Sequence, residues 1–359
     1  MKYLHIRQLL TLTLFLLACW LTACQSGGKN KDLLPVAKGE KGEILVIIDT
    51  VKWKGPLGDA LKEVLKENTP GALRPEPMFD VLPINPFKFT DLLKKHKSII
   101  YVTTFDAKTA GSRKLQKNFT QASLDKIQND SSLYMLIKED EFARGQVVMH
   151  LFGRNDEELI QNLKENKRTI QDFFNKLEAK RLAQHLFKVK GKKKLAKQFK
   201  ETHEVTLTIP AGYKMAKDTT GFFWLRFPEH DFDKNIFIAY KNYEDEAQFS
   251  NDSLIAWRNA IAKEHLYGNP DNPDSFVKTE TLEPPVIRQV KFQDKYAKEI
   301  RALWKTNNIS MGGPFVGYLF ADSTSGRLYY IEGFLYAPSH DSKRELMREL
   351  EVVLKSLST

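Results

Sequence analysis

The stretch EIRALWKTNNISMGGPFVGYLFAD, residues 299–322, decides the fold class of this chain. Apolar residues alternate or run together on both sides of Gly312-Gly313-Pro314, where the backbone can turn sharply before the next strand. Further segments of the same kind surround this stretch: VTLTIP, FFWLRF, NIFIAYKNY, VIRQVKF and RLYYIEGFLYAP. The sequence therefore predicts an antiparallel sheet in the second half of the chain.

Two helices accompany this predicted sheet. One is expected at about 252–265, and the other covers 341–357. The second carries an apolar stripe with helical spacing, formed by Leu346, Leu350, Val353, Leu354 and Leu357. Because such a stripe must pack on another surface, we expect the helices to pack on one face of the sheet.

The first half mixes predicted strands and helices. The strands are EILVIID, MFDVLPI, SIIYVTT, SLYMLIKE and QVVMHLFG; the helices cover 57–65, 87–95 and, as the longest, 155 to about 187. The predicted fold is α+β with two mixed α/β halves. Its parts are a signal peptide (1–23), a lipidated tether (24–42), an N-terminal mixed α/β domain ending in a long helix (43–190) and a C-terminal strand-rich α+β domain (191–359).

The N-terminus predicts export and a lipid anchor. Basic residues precede an uncharged apolar run, 9–23, that is too short to span a membrane comfortably and is typical of a signal peptide. The run ends in Leu-Thr-Ala-Cys, which resembles the lipobox of bacterial lipoproteins, with Cys24 as the lipidated residue. Cys19 offers a competing match, but Cys24 is followed by a polar, flexible tether. An ordinary cleaved signal peptide is the alternative.

The net charge of +10 raises the question of a nucleic-acid partner. The densest basic run, KVKGKKKLAKQFK (188–200), has seven lysines, one aromatic residue and no arginine. Readers of single strands also need aromatic stacking faces, so we expect no nucleic-acid partner. The run is typical of a solvated linker and helix face; contact with anionic headgroups or polysaccharide is the alternative.

Motifs that carry chemistry are not found in this sequence. It lacks Gly-x-Ser-x-Gly, a P-loop, His-Glu-x-x-His and Cys-x-x-Cys, and its histidines have no metal-ligand spacing. Residues 231–242 resemble the start of a calcium loop, but Ile236 stands where the glycine is needed, so a turn between strands is favoured. We expect no catalytic residue, no metal and no cofactor.

Arginine and tryptophan neighbours suggest a ligand-binding site. Arg226 follows Trp224 closely, and Arg301 and Trp304 lie three residues apart, so on one strand they face opposite sides. Such pairs can bind carboxylates or sugar faces. Gly312 and Gly313 would let a ligand approach closely. The alternative is that the tryptophans belong to the core and the arginines pair with buried carbonyls or acids.

A resemblance to a known family rests on several blocks: LPVAKGEKGEILVIID, WKGPLGDAL, RPEPMFDV, FFWLR, ALWKTNNISMGGPF and GFLYAPSHDSKRELMRELE. In this order they resemble a family of Bacteroidota lipoproteins known as domain of unknown function 4837, over essentially the whole mature chain. Ala302 departs from the glycine expected there. The resemblance implies an envelope location and no known activity. Lysines outnumber acids after Cys24, which favours the outer membrane facing the periplasm.

Two functions compete. The first is a non-catalytic binding or envelope-maintenance module for a protein or glycan partner, held to the membrane by its lipid. The second is a hydrolase acting on envelope polymers through paired carboxylates such as Glu299, Asp322 or Glu332. A lipoprotein chaperone, which would expose an apolar groove, is a third hypothesis. The sequence favours binding over catalysis.

Overall fold

The computed structural model describes residues 33–269 and 272–359. These residues divide into two compact units. The first holds the described residues up to 39, together with 45–50 and 83–154; the second holds 40–44, 51–82 and 155–359. Residues 155–190, which the sequence assigned to the N-terminal domain, are part of the second unit.

Five strands of the first half form a mixed sheet. They are β1 (Glu43–Ile47), β2 (Asp80–Ile84), β3 (Ser98–Thr104), β4 (Met135–Glu139) and β5 (Val147–Gly153). Their order is β2-β1-β3-β5-β4. β1 and β5 pair with β3 in parallel, and β4 runs antiparallel to β5. Every residue of β3 and β5 is buried, which explains their largely apolar sequences.

Helices of the first half differ in part from the prediction. They are α1 (Thr50–Trp53), α2 (Pro56–Leu65), α3 (Ala110–Gln116) and α4 (Gln121–Asn129). The helix expected at 87–95 is wrong: two short 3₁₀ turns, Pro86–Lys88 and Leu93–Lys95, stand there. Phe87 and Leu92 are 60% and 76% exposed, so this segment has no buried stripe to stabilise a longer helix.

The long helix predicted from 155 to 187 is two helices, α5 (Asp156–Glu165) and α6 (Lys167–Leu186). Asn166 separates them, with φ −106° and ψ 17°, outside the helical region. Asn155 caps α5 by accepting the backbone N–H of Glu158 at 2.9 Å. The sequence therefore marked the start of the pair but not the break within it.

Strands of the second half form one antiparallel sheet. They are β6 (Lys214–Thr219), β7 (Phe222–Pro228), β8 (Asp233–Asn242), β9 (Tyr267–Asn269), β10 (Asn272–Thr279), β11 (Val286–Phe292), β12 (Lys295–Thr306), β13 (Gly312–Asp322) and β14 (Arg327–Tyr336). Their order is β6-β7-β8-β14-β13-β12-β10-β9, and β11 pairs with β12. The pairs are antiparallel. The predicted α+β class is confirmed.

Helices lie on both faces of this sheet, whereas the sequence predicted them on one. The helices are α7 (Lys193–His203), α8 (Asn251–His265) and α9 (Arg344–Leu354). Ile238 of β8 packs in the same core cluster as α7 and α9, whereas its neighbour Phe237 packs with α8. Because successive side chains of a strand point to opposite faces, α8 covers the face opposite α7 and α9.

The calcium-like segment 231–242 is strand over most of its length. β7 ends at Pro228 and β8 begins at Asp233, so the residues between them form the turn that the sequence favoured. In the described part of the chain, no group of three His, Cys, Asp or Glu side chains could hold a metal ion. Within the same residues, no helix has the length and apolar character needed to cross a membrane.

Candidate functional site

A cleft of about 590 Å³ opens within the second unit, and we call it the basic cleft. Among the described residues, eight lysines or arginines line it against three acids. One wall is α6, the other is α9, and the floor is formed by β11 and β12. This excess of positive charge creates a potential that attracts anions.

Helical spacing explains how two distant segments each present one charged face to the basic cleft. On α6, Arg168, Asp172 and Lys176 follow one another at intervals of four residues. On α9 and its C-cap, Arg348, Glu351 and Lys355 do so at intervals of three and four, with Arg344 one turn earlier. Residues with these spacings share one side of a helix.

Arg301 forms the centre of the floor. Its Nε donates to Glu299 Oε1 at 2.9 Å and its Nη2 donates to Glu299 Oε2 at 3.1 Å. The same Nη2 donates to Glu351 Oε2, on α9, at 2.7 Å. Nη1 of Arg301 has no hydrogen-bond partner within the described residues. Two carboxylates therefore fix this guanidinium while leaving one of its nitrogens available.

Tyr318 of β13 joins the two carboxylates. Its hydroxyl lies 3.1 Å from Glu299 Oε2 and 3.0 Å from Glu351 Oε1. Burial and the two nearby negative charges raise the pKa of Tyr318 well above its usual value. Burial alone would raise the pKa of Glu351, but Arg301 and Lys355 outweigh it and hold that pKa far below its usual range. At neutral pH the tyrosine is therefore neutral and Glu351 is ionised.

Four cations of the basic cleft have no ion pair or hydrogen bond from their side chains to other described residues: Arg168, Lys176, Arg288 and Lys291. Burial, together with the positive charges of Arg168 and Arg301, lowers the pKa of Arg288. Like charges thus repel one another here. An anion in the cleft would relieve this repulsion, so the arrangement is suited to bind negative charge.

The residues predicted from the sequence do not form a single site. Arg301 lines the basic cleft, whereas Trp304 lies on the opposite face of β12, as their spacing predicts. Trp304 is buried, and its Nε1 donates to the Leu335 carbonyl at 3.1 Å. It packs edge-on against Phe334 and belongs to the core.

Trp224 and Arg226 of β7 contact each other away from the basic cleft. The Arg226 guanidinium lies 5.5 Å from the centre of the Trp224 ring, within cation–π range. Arg226 Nε also donates to Asp233 Oδ2 at 3.2 Å, and Trp224 Nε1 donates to Asn235 Oδ1 at 3.0 Å. Arg226 Nε and Trp224 Nε1 are thus both bonded to neighbours on β8.

Gly312 and Gly313 lie where the backbone of a neighbouring strand comes too close for a side chain. A Cβ on Gly312 would lie 2.7 Å from the Trp304 carbonyl oxygen, and one on Gly313 would lie 2.0 Å from that of Leu335. The close approach predicted for a ligand is therefore made by the neighbouring strands β12 and β14.

The three acids proposed for a hydrolase are dispersed. Glu299 lines the basic cleft. Asp322 accepts a hydrogen bond from Lys295 Nζ at 2.6 Å. Glu332 is fully buried against Arg258 on the face covered by α8. The lipid-attachment residue, Cys24, lies outside the described residues.

Sequence reasoning missed most of the basic cleft. Arg168 and Glu351 carry the charged helical spacing described above, which was a detectable signal. Arg288 and Tyr318 gave none, because their role depends on strand pairing: Arg288 stands opposite Glu299, and Tyr318 stands opposite Glu299 on the other side of β12.

No curated protein matches this chain. The solved structures that resemble parts of it include three whose similarity is weak. A mutant of the protein Mog1 is 7% identical over 43% of this chain and 89% of its own, with TM-score 0.27. The Saccharomyces cerevisiae Ran-binding protein Mog1p is 8% identical over 43% of this chain and 89% of its own, with TM-score 0.29. The human StarD13 (DLC2) lipid transfer and protein localization domain is 11% identical over 46% of this chain and 95% of its own, with TM-score 0.21. Such low scores support no argument about fold or function.

Two family models match successive parts of the chain. Residues 37–187 match a domain of unknown function, DUF8532. The second match begins near the predicted boundary at 190. It therefore covers only the second half of the mature chain, whereas the sequence predicted this resemblance over essentially all of it. Residues 192–356, which contain the floor and one wall of the basic cleft, match the family of unknown function DUF4837.

Proposed function

We propose that this protein is a non-catalytic binding module of the bacterial envelope. A lipid on Cys24 holds it to the outer membrane on the periplasmic side. Its basic cleft binds an anionic group presented by an envelope partner, most simply a glycan. The family match assigns no activity to either half of the chain, so the chemistry of the cleft is the main support for this function.

A single observation carries this proposal: the four unpaired cations of the basic cleft. Surface arginines and lysines commonly find acidic neighbours, as Lys62 does with Asp59 in this protein. Arg168, Lys176, Arg288 and Lys291 form no ion pair with a described acid, although they share one cleft. Bringing like charges together costs free energy, and a bound anion recovers it.

A hydrolase is the second candidate, favoured by the convergence of Glu299 and Glu351 on Tyr318. A glycoside hydrolase needs one carboxylic acid that is protonated near neutral pH. The pKa of Glu351 is shifted in the opposite direction, because Arg301 and Lys355 stabilise its ionised form. Both carboxylates also hold Arg301. The pair is therefore better suited to positioning a cation than to transferring a proton.

The test measures binding of a small anion by the full chain in detergent. Isothermal titration calorimetry compares a sulfated disaccharide with the same sugar without sulfate. We expect binding of the sulfated form only, weakening with added salt as charges are screened. The double variant Arg168→Gln/Lys176→Gln should weaken binding about tenfold.

Lys188→Gln/Lys190→Gln is the matched control, since it removes two positive charges from exposed positions outside the basic cleft. It should bind as the unmodified chain does. Equal losses in both double variants would mean that net charge, not the cleft, attracts the sugar. Cleavage of the disaccharide, lost in Glu351→Gln, would favour the hydrolase.

A further inference from the structure

The fixed position of Arg301 sets the chemistry that the basic cleft can recognise. Three hydrogen bonds to Glu299 and Glu351 hold its guanidinium plane. Its side chain is 17% exposed, and Nη1 keeps two N–H donors without a described partner. A donor held in this way loses little conformational entropy when it binds a ligand.

Two further guanidiniums, both without an ion pair, accompany Arg301 in the cleft. Arg288 lies on β11, paired in register with the strand that carries Arg301, and Arg168 lies on α6 across the cleft. Arginine donors are planar forks that match the tetrahedral oxygens of phosphate and the planar oxygens of carboxylate. Glu299 and Glu351 compensate the charge of Arg301. The unpaired cations, which include Arg168 and Arg288, still supply more positive charge than a single carboxylate would neutralise.

We infer that the group recognised in the basic cleft is a phosphomonoester, bound by Arg168, Arg288 and Arg301 and carried by a compact hydroxylated molecule. This inference rests on the proposed function and names its ligand. A phosphomonoester concentrates up to two negative charges and three acceptor oxygens on one atom, which suits the unpaired charges of Arg168 and Arg288 and the free donors of Arg301 in one cleft. A volume of about 590 Å³ is in the range of sites for small molecules.

Asp172 limits which chemical groups the ligand can carry next to its phosphate. It lies one helical turn from both Arg168 and Lys176 on the wall formed by α6. Its carboxylate would repel a molecule that is anionic along its whole length, but it can accept hydrogen bonds from hydroxyl groups. The carrier is therefore expected to be neutral and hydroxylated next to its phosphate, as glycerol or a sugar is.

The test exploits the second ionisation of phosphate, near pH 6. Calorimetry with the full chain compares glycerol phosphate with glycerol sulfate at pH 5 and pH 7.5, at constant ionic strength. Affinity for the phosphate should rise about tenfold as it becomes a dianion, whereas affinity for the sulfate, whose charge is constant, should not change.

Two variants link this result to the named residues. Arg288→Gln removes an unpaired charge and should abolish the pH-dependent gain. Arg301→Lys keeps the charge but loses the fork, so the preference for phosphate should fall while folding, followed by circular dichroism, is retained. Arg113→Gln, an exposed position on α3, is the matched control and should change nothing.

The possible results distinguish a failure of the phosphate inference from a failure of the proposed function. If glycerol phosphate binds no better than glycerol sulfate at either pH, while the sulfated disaccharide still binds through Arg168 and Lys176, the phosphate inference fails and the function stands. Dihexanoyl phosphatidic acid distinguishes the sources. Tighter binding than glycerol phosphate, with no binding of dihexanoyl phosphatidylcholine, indicates a lipid headgroup; equal or weaker binding indicates a soluble ester. Either result supports a phosphomonoester as the bound group, but the first would overturn the hydroxylated carrier, because both remaining glycerol hydroxyls of phosphatidic acid are acylated.

Discussion

At the scale of single residues, the ion pair between Arg258 of α8 and Glu332 of β14 depends on the presence of both partners. Both side chains are fully buried. Nε and Nη2 of Arg258 donate to the two carboxylate oxygens at 3.0 and 2.8 Å, and the Tyr330 hydroxyl donates to Oε2 at 2.5 Å. The guanidinium also lies 4.4 Å from the centre of the Phe315 ring. Each charge is acceptable in the core only because the other is present.

Arg258→Met should therefore destabilise the protein by about 3–5 kcal/mol, because it leaves Glu332 buried without its counter-ion. Urea unfolding followed by tryptophan fluorescence gives the free energy of unfolding. The double variant Arg258→Met/Glu332→Leu should recover most of the loss, since it removes both charges together. A double variant as unstable as the sum of the two single variants would show that the pair is not coupled.

Asp322 gives a prediction about pH. Lys295 Nζ and the backbone N–H and hydroxyl of Ser325 donate to its carboxylate at 2.6, 3.0 and 2.7 Å. Burial opposes ionisation, but these hydrogen bonds outweigh it and lower the pKa of Asp322 to about 2. Its stabilising effect is therefore complete above the unfolded value near 3.8 and is lost as the pH falls towards 2.

Asp322→Asn should lower the free energy of unfolding by about 1–2 kcal/mol at neutral pH and by little at pH 2. Unfolding in urea at a series of pH values checks this. The difference between variant and unmodified chain should shrink between about pH 4 and pH 2. A constant difference across this range would mean that the carboxylate charge does not contribute.

At the scale of secondary structure, α9 begins with a cap from a remote segment. Its own first residues provide no side-chain cap. Instead, Glu76 accepts the backbone N–H groups of Lys343 and Arg344 at 3.0 Å and the hydroxyl of Ser342. A carboxylate at this end satisfies free donors and interacts favourably with the helix dipole.

Glu76→Ala should destabilise the second unit by about 1–2 kcal/mol, in the range of lost helix caps. Glu283→Ala, at an exposed position, should have almost no effect and is the control. Urea unfolding compares the two. If both variants unfold at the same urea concentration as the unmodified chain, water replaces the cap without cost.

The secondary structure could be predicted where a buried surface determines the pattern of apolar residues in the sequence. β13 and β14 are buried along most of their length, so their sequences are apolar, and α9 shows the stripe that packs on them. α3 and α4 were missed because each buries few residues, three in α3 and one in α4. Short helices of this kind depend on their caps, Thr109 and Thr120, more than on apolar periodicity.

At the scale of the whole molecule, the predicted lipid anchor determines where the basic cleft operates. Cys24→Ala should shift the protein from the membrane fraction to the soluble fraction and abolish labelling with palmitate, because two or more acyl chains are needed for durable anchoring. Cys19→Ala is the matched control and should stay in the membrane fraction. The reverse result, with labelling lost only in the Cys19 variant, would assign the anchor to the competing position.

The basic cleft shows why a site is harder to predict than a fold. Its walls and floor come from α6, β11, β12 and α9, which are far apart in the sequence. Arg301 was predicted because a tryptophan lies nearby, and the structure places that tryptophan on the opposite face. Its actual partners, Glu299 and Glu351, come from the same strand and from a helix 50 residues later. Only the folded sheet brings such charges together.

The position of β14 has a consequence for biogenesis. It lies between β8 and β13, so the sheet is continuous only after the last of its strands has been added. A ribosome must therefore release the chain through Tyr336 before this half can assemble, and contacts of long sequence separation form slowly. A chain that stays open during synthesis remains competent to be threaded through a translocation channel.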